Sequence, residues 1–286
     1  MVKRLSARGI DFMLMDWRLY PDHCDIQWTL DGGVVDGFIR YGSRTVPLAE
    51  VTSIFMRQIE LCDLLSVVAD ALPIRFVNPI PSFGSNSSKP YQQQIIREHG
   101  FRVPKTLVTT IPEEVERFYE ECGGHVICKS VSDQMSVVRK VTSEDLGRAG
   151  NVRWSPTQFQ EFVPGVETRV HTVGDRVFAT EISSTAVDYR YAGREGKARG
   201  MRPVRLPDDV EERCLSLSAD LGLVLGGVDL RCHPDGEYYC FEVNPMPGFT
   251  FFEHVTRQRM GDALIDLMLQ DFEPAEGATP FQMQRI

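Results

Sequence analysis

The chain has 286 residues, of which 42% are hydrophobic and 25% charged, so it is long enough for about two globular domains. Its net charge of −9 argues against a general nucleic-acid binder and against a protein held on an anionic membrane surface. No apolar run reaches the ~20 residues that span a bilayer, and the cysteines form no Cys-x-x-Cys pair, so we expect a cytoplasmic protein with reduced thiols.

The first part of the chain, residues 1–83, predicts a small α/β domain. Its strands are marked by alternating or continuous apolar runs, and one hairpin by an Asp-Gly-Gly turn. The predicted elements are a helix that ends at Gly9, a strand at 10–17, a hairpin of 24–30 and 37–41, strands at 51–55 and 74–78, and a helix at 60–72.

Residues 79–90 are rich in Pro, Gly and Ser and predict a linker into a second domain. A helix should follow and end at Glu98, with Gly100 as its stop. Lys89 lies at the start of this helix, where it could bind a phosphate or be an ordinary solvated lysine. Lys129 lies in an apolar strand, and a lysine in such surroundings needs an anionic partner.

The next predicted strands carry charged residues on one face. A hairpin of 166–173 and 176–183 alternates Glu167, Arg169 and His171 onto the same side, and His171 is favoured as a structural residue. A basic segment follows, which is either a solvated loop or a cationic lid over phosphates and a carboxylate substrate. Its cations are Arg190, Arg194, Lys197, Arg199, Arg202 and Arg205.

The hairpin of residues 227–233 and 237–243 predicts a metal site. If Asp235-Gly236 is a two-residue loop, Asp229 lies opposite Glu242, and Asn244 falls on the same face. Two facing carboxylates repel unless a cation lies between them, and hard oxygen ligands suit Mg²⁺ or Mn²⁺. The alternative is a solvated face with two unrelated acids.

Several of these segments resemble one family. Asp229 with Glu242-Val243-Asn244 resembles the magnesium signature of ATP-grasp enzymes. The passage NSSKPYQQQIIREHGFRVPKTLVTT resembles the opening of the ATP-grasp domain in graspetide (microviridin-type) ligases and ribosomal-protein glutamate ligases, and Asp188-Tyr189-Arg190 resembles the Asp-Trp-Arg element of graspetide ligases. The run EVNPMPGFT resembles the ending of D-alanine–D-alanine ligase equally well.

The resemblance spans residues 74–272 and implies an α/β chain in which a small N-terminal domain precedes an ATP-grasp fold of two α+β halves, at about 84–155 and 156–272. A closing helix is predicted at 253–270, and residues 273–286 are expected to form a loose tail. Family members begin with one more strand before the first helix, so this chain is expected to start late.

The resemblance also implies roles for individual residues. ATP and Mg²⁺, with Mn²⁺ as an alternative, are the implied cofactors, and Asp229, Glu242 and Asn244 are the implied metal ligands. Arg190, Lys129 and Arg169 are the implied catalytic residues, with Arg190 nearest the transferred phosphoryl group. The implied nucleotide-binding residues are Lys89, Lys129, Gln160, Glu161, Phe162, Val163, Glu167 and Arg190.

The implied activity is an ATP-dependent carboxylate–amine or carboxylate–hydroxyl ligase that works through an acyl phosphate and releases ADP and phosphate. Its carboxylate substrate is expected on a precursor peptide, and no nucleic acid or membrane partner is expected. A homodimer is left open. The alternatives are a small-molecule amino acid or dipeptide ligase, and a kinase or nucleotide-binding protein without turnover.

Overall fold

The computed structural model of the chain describes residues 1–19, 22–31, 34–57, 72, 74–87, 89–130, 138–184 and 199–270. Its α-helices are α1 (Val2–Ala7), α2 (Gly84–Ser87), α3 (Lys89–Glu98), α4 (Pro112–Glu121), α5 (Ser143–Leu146), α6 (Asp208–Asp220), α7 (Thr250–Thr256) and α8 (Met260–Met268). None of these helices is long and apolar enough to cross a membrane.

The strands form four sheets. They are β1 (Cys24–Asp31), β2 (Val34–Tyr41), β3 (Arg44–Pro47), β4 (Ser53–Phe55), β5 (Arg75–Val77), β6 (Thr106–Thr109), β7 (Val126–Ser130), β8 (Arg139–Lys140), β9 (Thr157–Glu161), β10 (Val166–Val173), β11 (Arg176–Ser184), β12 (Arg199–Val204), β13 (Leu225–Cys232) and β14 (Tyr238–Asn244). The sheet orders are β1-β2-β3, β4-β5, β6-β9-β7-β8 and β12-β11-β10-β13-β14.

The N-terminal part contains an antiparallel three-stranded sheet and a parallel pair, β4 and β5. The predicted first hairpin is confirmed, but the predicted strand at 10–17 is wrong. Residues 10–16 belong to no strand, because their backbone meets side chains instead of a ladder; for example, Arg44 donates to the Phe12 carbonyl at 2.8 Å. Met13 and Met15 nevertheless pack against the small core of Ile39 and Leu48. The predicted helix at 60–72 lies almost wholly outside the described residues.

The five-stranded sheet has two differently occupied faces. One face packs against α3 and α6 around buried side chains such as Val170, Val228 and Leu230. Toward one end of the other face, Val173 and Leu225 pack under α7 and α8. Since side chains alternate along a strand, the remaining part of that second face carries the odd-numbered polar residues of β10 and β13. Among those polar residues, His171 is buried against Phe252 of the second core. The others belong to neither core.

The predicted closing helix at 253–270 is two helices. The chain breaks at Arg257, which adopts a left-handed conformation with φ of 63°. The Glu253 carboxylate accepts from the Gly261 N–H at 2.9 Å and from Arg4 of α1 at 2.7 Å, so it joins the two helices and the N-terminal helix at one point. The sequence showed no Gly or Pro at this break, which is why a continuous helix was predicted.

The cysteines in the described part of the chain are free thiols. Cys214 and Cys240 both lie in the core under the five-stranded sheet. Burial raises the pKa of the Cys214 thiol to about 12 and that of Cys240 well above its usual value, so both stay protonated and act as small apolar side chains.

Candidate active site

The hairpin of β13 and β14 brings the predicted metal ligands together. Asp229 lies directly opposite Glu242, and Gly227 lies opposite Asn244. The predicted pairing is therefore confirmed, but the predicted two-residue loop is wrong. His233 N–H donates to the Glu237 carbonyl at 2.9 Å, so the loop has three residues and ends at Gly236, whose φ of 90° favours glycine.

A β-bulge restores the register after this longer loop. The pairing shifts by one residue between Leu230 and Asp229, which leaves Phe241 as the extra residue on β14. Cys240 and Val243 on either side are fully buried in the core, whereas Phe241 and Glu242 are only partly buried. The bulge thus places an aromatic ring beside the acidic residue, and the Arg231 guanidinium lies 5.2 Å from that ring's centroid. Sequence reasoning missed Phe241.

Each acid of the pair is met by a cation. Arg169 Nη1 lies 2.5 Å from Asp229 Oδ1, and Lys89 Nζ lies 3.8 Å from Glu242 Oε2. Arg169 is buried, and its guanidinium lies over Gly227, where an added Cβ would come within 2.2 Å of it. Glycine at position 227 therefore makes room for the Arg169–Asp229 pair.

The donor set suits a hard divalent cation. It consists of two carboxylates and the Asn244 amide, whose Oδ1 also accepts from the Met246 N–H at 2.7 Å. The described residues hold no group of three or more His, Cys, Asp or Glu side chains that could bind a metal ion, and this site itself has two such side chains. A cation here would need further oxygen ligands, and substrate phosphates supply such ligands to Mg²⁺. The site therefore fits Mg²⁺ shared with a nucleotide.

Helix α3 holds the ligand strand at its outer edge. Gln92 is buried, and its side-chain amide donates to the Val243 carbonyl and accepts from the Val243 N–H, both at 2.9 Å. Val243 lies between Glu242 and Asn244. Lys89 and Gln92 are three residues apart and so share one face of the helix. The helix therefore sets the spacing of the ligands and the position of Lys89 together. Gln92 was not predicted, because its partner is 151 residues away.

The strand of Lys129 faces a small polar network. Lys129 Nζ lies 3.4 Å from Gln160 Oε1, and the buried Gln160 amide donates to Thr106 Oγ1 at 3.0 Å. Phe162 follows at the end of β9, with Lys140 Nζ 4.2 Å from its ring centroid. The residues predicted from β7 and β9 are therefore neighbours across the four-stranded sheet.

The segment after β9 has its own fixed contacts. The Glu161 N–H donates to the Lys105 carbonyl at 2.9 Å, and the Val163 carbonyl accepts from Arg231 Nη1 at the same distance. Arg231 Nη2 also lies 3.4 Å from Glu167 Oε2. Arg231, which lies in β13, therefore connects this segment to the hairpin of β13 and β14. Sequence reasoning missed Arg231, although its position two residues after Asp229 puts it on the same face.

His171 has the structural character that the sequence favoured. The ring is fully buried, and its centroid lies 4.9 Å from that of Phe252 in an edge-on arrangement. Burial, and then the positive charge of Arg169, hold the pKa of His171 well below its usual value. The imidazole is therefore neutral.

Arg190, Arg194 and Lys197 of the basic segment lie outside the described residues, and so do residues 131–137 after the strand of Lys129. The other three cations are described: Arg199 and Arg202 lie in β12, and Arg205 follows it. Arg202 pairs with Glu181 at 2.6 Å and Arg205 with Asp208 at 2.9 Å.

Comparison with known proteins agrees with this geometry. A family model for the RimK-like ATP-grasp domain matches residues 86–268, which is well over half of the chain. The alpha-aminoadipate–LysW ligase LysX of Sulfurisphaera tokodaii is 24% identical over 218 residues, which cover 71% of this chain and 74% of that protein.

Solved structures share the fold over nearly the whole chain. The macrocyclase MdnC of Microcystis aeruginosa, bound to precursor peptide MdnA, superposes with a TM-score of 0.80 at 24% identity and covers 94% of both chains. The ATP-grasp ligase PsnB, in complex with a minimal precursor, Mg and ADP, has a TM-score of 0.72 at 25% identity over 93% of this chain and 92% of its own. This chain therefore belongs to the RimK-like ATP-grasp domain family, and the predictions of the ATP-grasp fold and of an ATP-grasp ligase are confirmed.

Proposed function

We propose that the protein is an ADP-forming ligase that activates a carboxylate of a peptide as an acyl phosphate and joins it to an amine or a hydroxyl. The observation that carries this proposal is the facing pair of Asp229 and Glu242, with Arg169 and Lys89 as their cationic partners, in a RimK-like ATP-grasp domain. Opposed acids with adjacent cations suit the handling of magnesium and phosphate better than they suit a solvated hairpin face.

In this proposal, Asp229, Glu242 and Asn244 hold Mg²⁺ together with phosphate oxygens of the nucleotide. The bound cation offsets negative charge on the phosphates. Mn²⁺ has similar oxygen preferences and is the alternative metal. Binding a cation between the acids would weaken their contacts with Lys89 and Arg169, which then become available to phosphate or carboxylate oxygens.

The nucleotide would lie between the two halves of the domain. The Glu161 N–H and the Val163 carbonyl are engaged inside the protein. The opposite groups, the Glu161 carbonyl and the Val163 N–H, are therefore our candidates for the adenine edge. The rings of Phe162 and the bulged Phe241 both lie near Arg231, which contacts the same segment. They could therefore offer apolar surface to a base there. Gln160 would line this pocket, and Glu167 would accept from the ribose hydroxyls.

The chemistry needs no covalent attachment to a side chain. A carboxylate oxygen of the substrate attacks the γ-phosphorus of ATP, the bond to the β–γ bridging oxygen breaks, and ADP leaves with that oxygen. The amine or hydroxyl then attacks the acyl carbon and loses a proton to solvent, and phosphate leaves with the electrons of the broken C–O bond. Lys129, Arg169 and Arg190 would offset the charge on the transferring group, so the protein contributes positioning and electrostatic stabilisation.

The peptide substrate rests on the structural neighbours. MdnC and PsnB are bound to precursor peptides, and both match more than nine-tenths of this chain, so the likeness extends beyond the ATP-grasp domain itself. A small-molecule ligase is the second candidate, because LysX, named for alpha-aminoadipate, matches 71% of this chain. Every residue invoked here comes from one chain, so the chemistry does not depend on whether two copies associate.

An isotope experiment tests the acyl phosphate. The protein is incubated with ATP, Mg²⁺ and a panel of acidic peptides and amino acids whose carboxylates carry ¹⁸O, with lysine, serine and glycine as acceptors. Released phosphate should carry one ¹⁸O atom for each bond formed. Whether the panel member that reacts is a peptide or an amino acid then identifies the class of the substrate. Transfer of the γ-phosphoryl group to a stable ester without ¹⁸O in phosphate would identify a kinase, and ATP binding without ADP release for any acid would identify a protein without turnover.

A further inference from the structure

The carboxyl ends of the parallel strands β4 and β5 contact the turn that follows β14, the strand of Glu242 and Asn244, which we call the metal strand. After β5, Asn78 donates to the carbonyls of Leu225 and Pro245 at 2.6 and 2.5 Å. After β4, Arg57 Nη1 donates to the Pro247 carbonyl at 2.7 Å. Ligands of α/β proteins bind outside the carboxyl ends of parallel strands. The N-terminal part thus presents its ligand-binding edge to the turn that follows Asn244.

The two joining residues differ in what they leave available. Asn78 is buried, and its Oδ1 also accepts from the N–H groups of Val224 and Leu225, so all of its hydrogen-bonding capacity is used inside the joint. Arg57 is exposed to solvent, and its hydrogen bond to the neutral Pro247 carbonyl uses one of its five N–H donors. Asn78 is therefore structural, whereas Arg57 has donors to offer a ligand.

Arg57 also has no counter-ion among the described residues. Arg169, Arg231 and Arg202, for comparison, each lie within 3.4 Å of a carboxylate oxygen. Surrounding atoms crowd the Arg57 guanidinium enough for burial to lower its pKa, although the side chain as a whole reaches solvent. A partly desolvated cation without an anion is costly in a folded protein, and such positions are often completed by a bound anion.

Pro247 connects Arg57 to the candidate active site. An added Cβ at Gly227 would lie 2.6 Å from Pro247 Cβ and 2.2 Å from the Arg169 guanidinium, so Pro247 and Arg169 pack over the same glycine. Arg169 in turn holds Asp229. Pro247 therefore lies between Arg57 and the Arg169–Asp229 pair, on the side where the N-terminal part contacts the hairpin.

We propose that Arg57 binds a carboxylate of the acyl-donor substrate and so selects acidic donors. This proposal rests on the proposed ligase function, because that function requires a carboxylate beside the metal strand. A planar guanidinium binds a carboxylate with two parallel hydrogen bonds, which fixes orientation as well as charge. The anion comes either from the reacting carboxyl group itself or from a neighbouring acidic group of the same substrate.

Chemical labelling of arginine tests the site without turnover. Wild-type protein with Mg²⁺ and ADP bound is treated with phenylglyoxal, and labelling of Arg57 is followed by peptide mass spectrometry. Glutarate should slow the labelling of Arg57, whereas neutral glutaramide should not. Propionate, which has one carboxylate, should protect as well as glutarate if a single carboxylate is held. Arg176, which pairs with Asp266 on α8, is the internal control and should label equally throughout.

A variant pair supplies the second readout. Arg57→Gln keeps a donor for the Pro247 carbonyl and removes the charge, and Arg176→Gln is the matched control. Losing one charge-assisted interaction should weaken glutarate binding about tenfold to a hundredfold, measured by saturation-transfer NMR. Equal labelling with and without glutarate overturns the proposal, and so does protection by inorganic phosphate alone, which would assign Arg57 to the nucleotide. Neither result depends on ¹⁸O transfer, so this proposal and the ligase proposal can fail separately.

Discussion

Replacing Gln92 by leucine should weaken both the fold and the metal site. Leucine has a similar size but no polar atoms, so Gln92→Leu leaves the N–H and carbonyl of Val243 buried without their partners. Each unpaired buried group costs about 1–3 kcal/mol, so leaving both groups unpaired should lower the free energy of unfolding by about 2–6 kcal/mol. Glu242 and Asn244 flank Val243, so the spacing of the ligands should also become less well defined. Loss of a residue that orients metal ligands typically weakens metal affinity about tenfold to a hundredfold.

The control is the neighbouring residue on the same helix. Gln93 donates to Thr106 Oγ1 at 3.2 Å, and within the described part of the chain it makes no hydrogen bond to β14. Gln93→Leu should therefore change stability little and Mg²⁺ dependence not at all. Urea unfolding gives the stabilities, and a titration of ADP release against Mg²⁺ at saturating ATP gives the metal dependence. If Gln92→Leu lowers stability but leaves the half-maximal Mg²⁺ concentration unchanged, Gln92 is only a packing residue and the reasoning fails.

The remaining predictions concern residues in or beside the site. Glu242→Gln and Asp229→Asn should each lower ADP release by orders of magnitude while circular dichroism and melting temperature persist; near-wild-type release would refute the metal assignment. Lys129→Met should weaken ATP binding about tenfold or more in calorimetry, with unchanged or higher thermal stability of the nucleotide-free protein. Arg190→Ala should slow acyl-phosphate formation in rapid-quench kinetics more than it weakens ATP binding. His171 is held neutral in the folded protein, so the unfolded chain binds more protons than the folded protein below pH about 6.5. The free energy of unfolding should therefore fall as the pH drops through that value, by at most about 1.4 kcal/mol per pH unit. In urea unfolding, His171→Phe should reduce this dependence on pH.

The pairing of Asp229 with Glu242 was predicted correctly from an incorrect loop. The observed three-residue loop alone would have placed Asp229 opposite Phe241, and the bulge at Phe241 restored the expected partner. Alternation along strands is a local property that the sequence encodes directly, whereas a bulge depends on the neighbouring strand and on the core. The facing of Asp229 and Glu242 could therefore be predicted from the sequence, whereas the bulge that produces it could not.

Residues that support the site from other elements were beyond the reach of sequence patterns. Gln92 contacts β14 over 151 positions of the chain, and Arg57 contacts the turn after β14 over 190 positions. Neither residue lies in a recognisable motif. The helix break at Arg257 was missed for a different reason, since a left-handed arginine carries no helix-stopping signal. The end of the helix before Gly100 was predicted well, because a glycine stop is a local signal.

The outer edge of the metal strand bears on how a peptide substrate can bind. β14 is an edge strand, and such edges offer unpaired backbone groups to an added strand. Here Gln92 occupies both groups of Val243, and the backbone of Arg102 donates to the Tyr238 carbonyl at 3.2 Å and accepts from the Cys240 N–H at 2.9 Å. A peptide could pair with β14 only by displacing these contacts, which would disturb the proposed metal ligands Glu242 and Asn244. If the substrate is an acidic peptide, as proposed, side chains around the site such as Arg57 are therefore better candidates for its selection than pairing with β14.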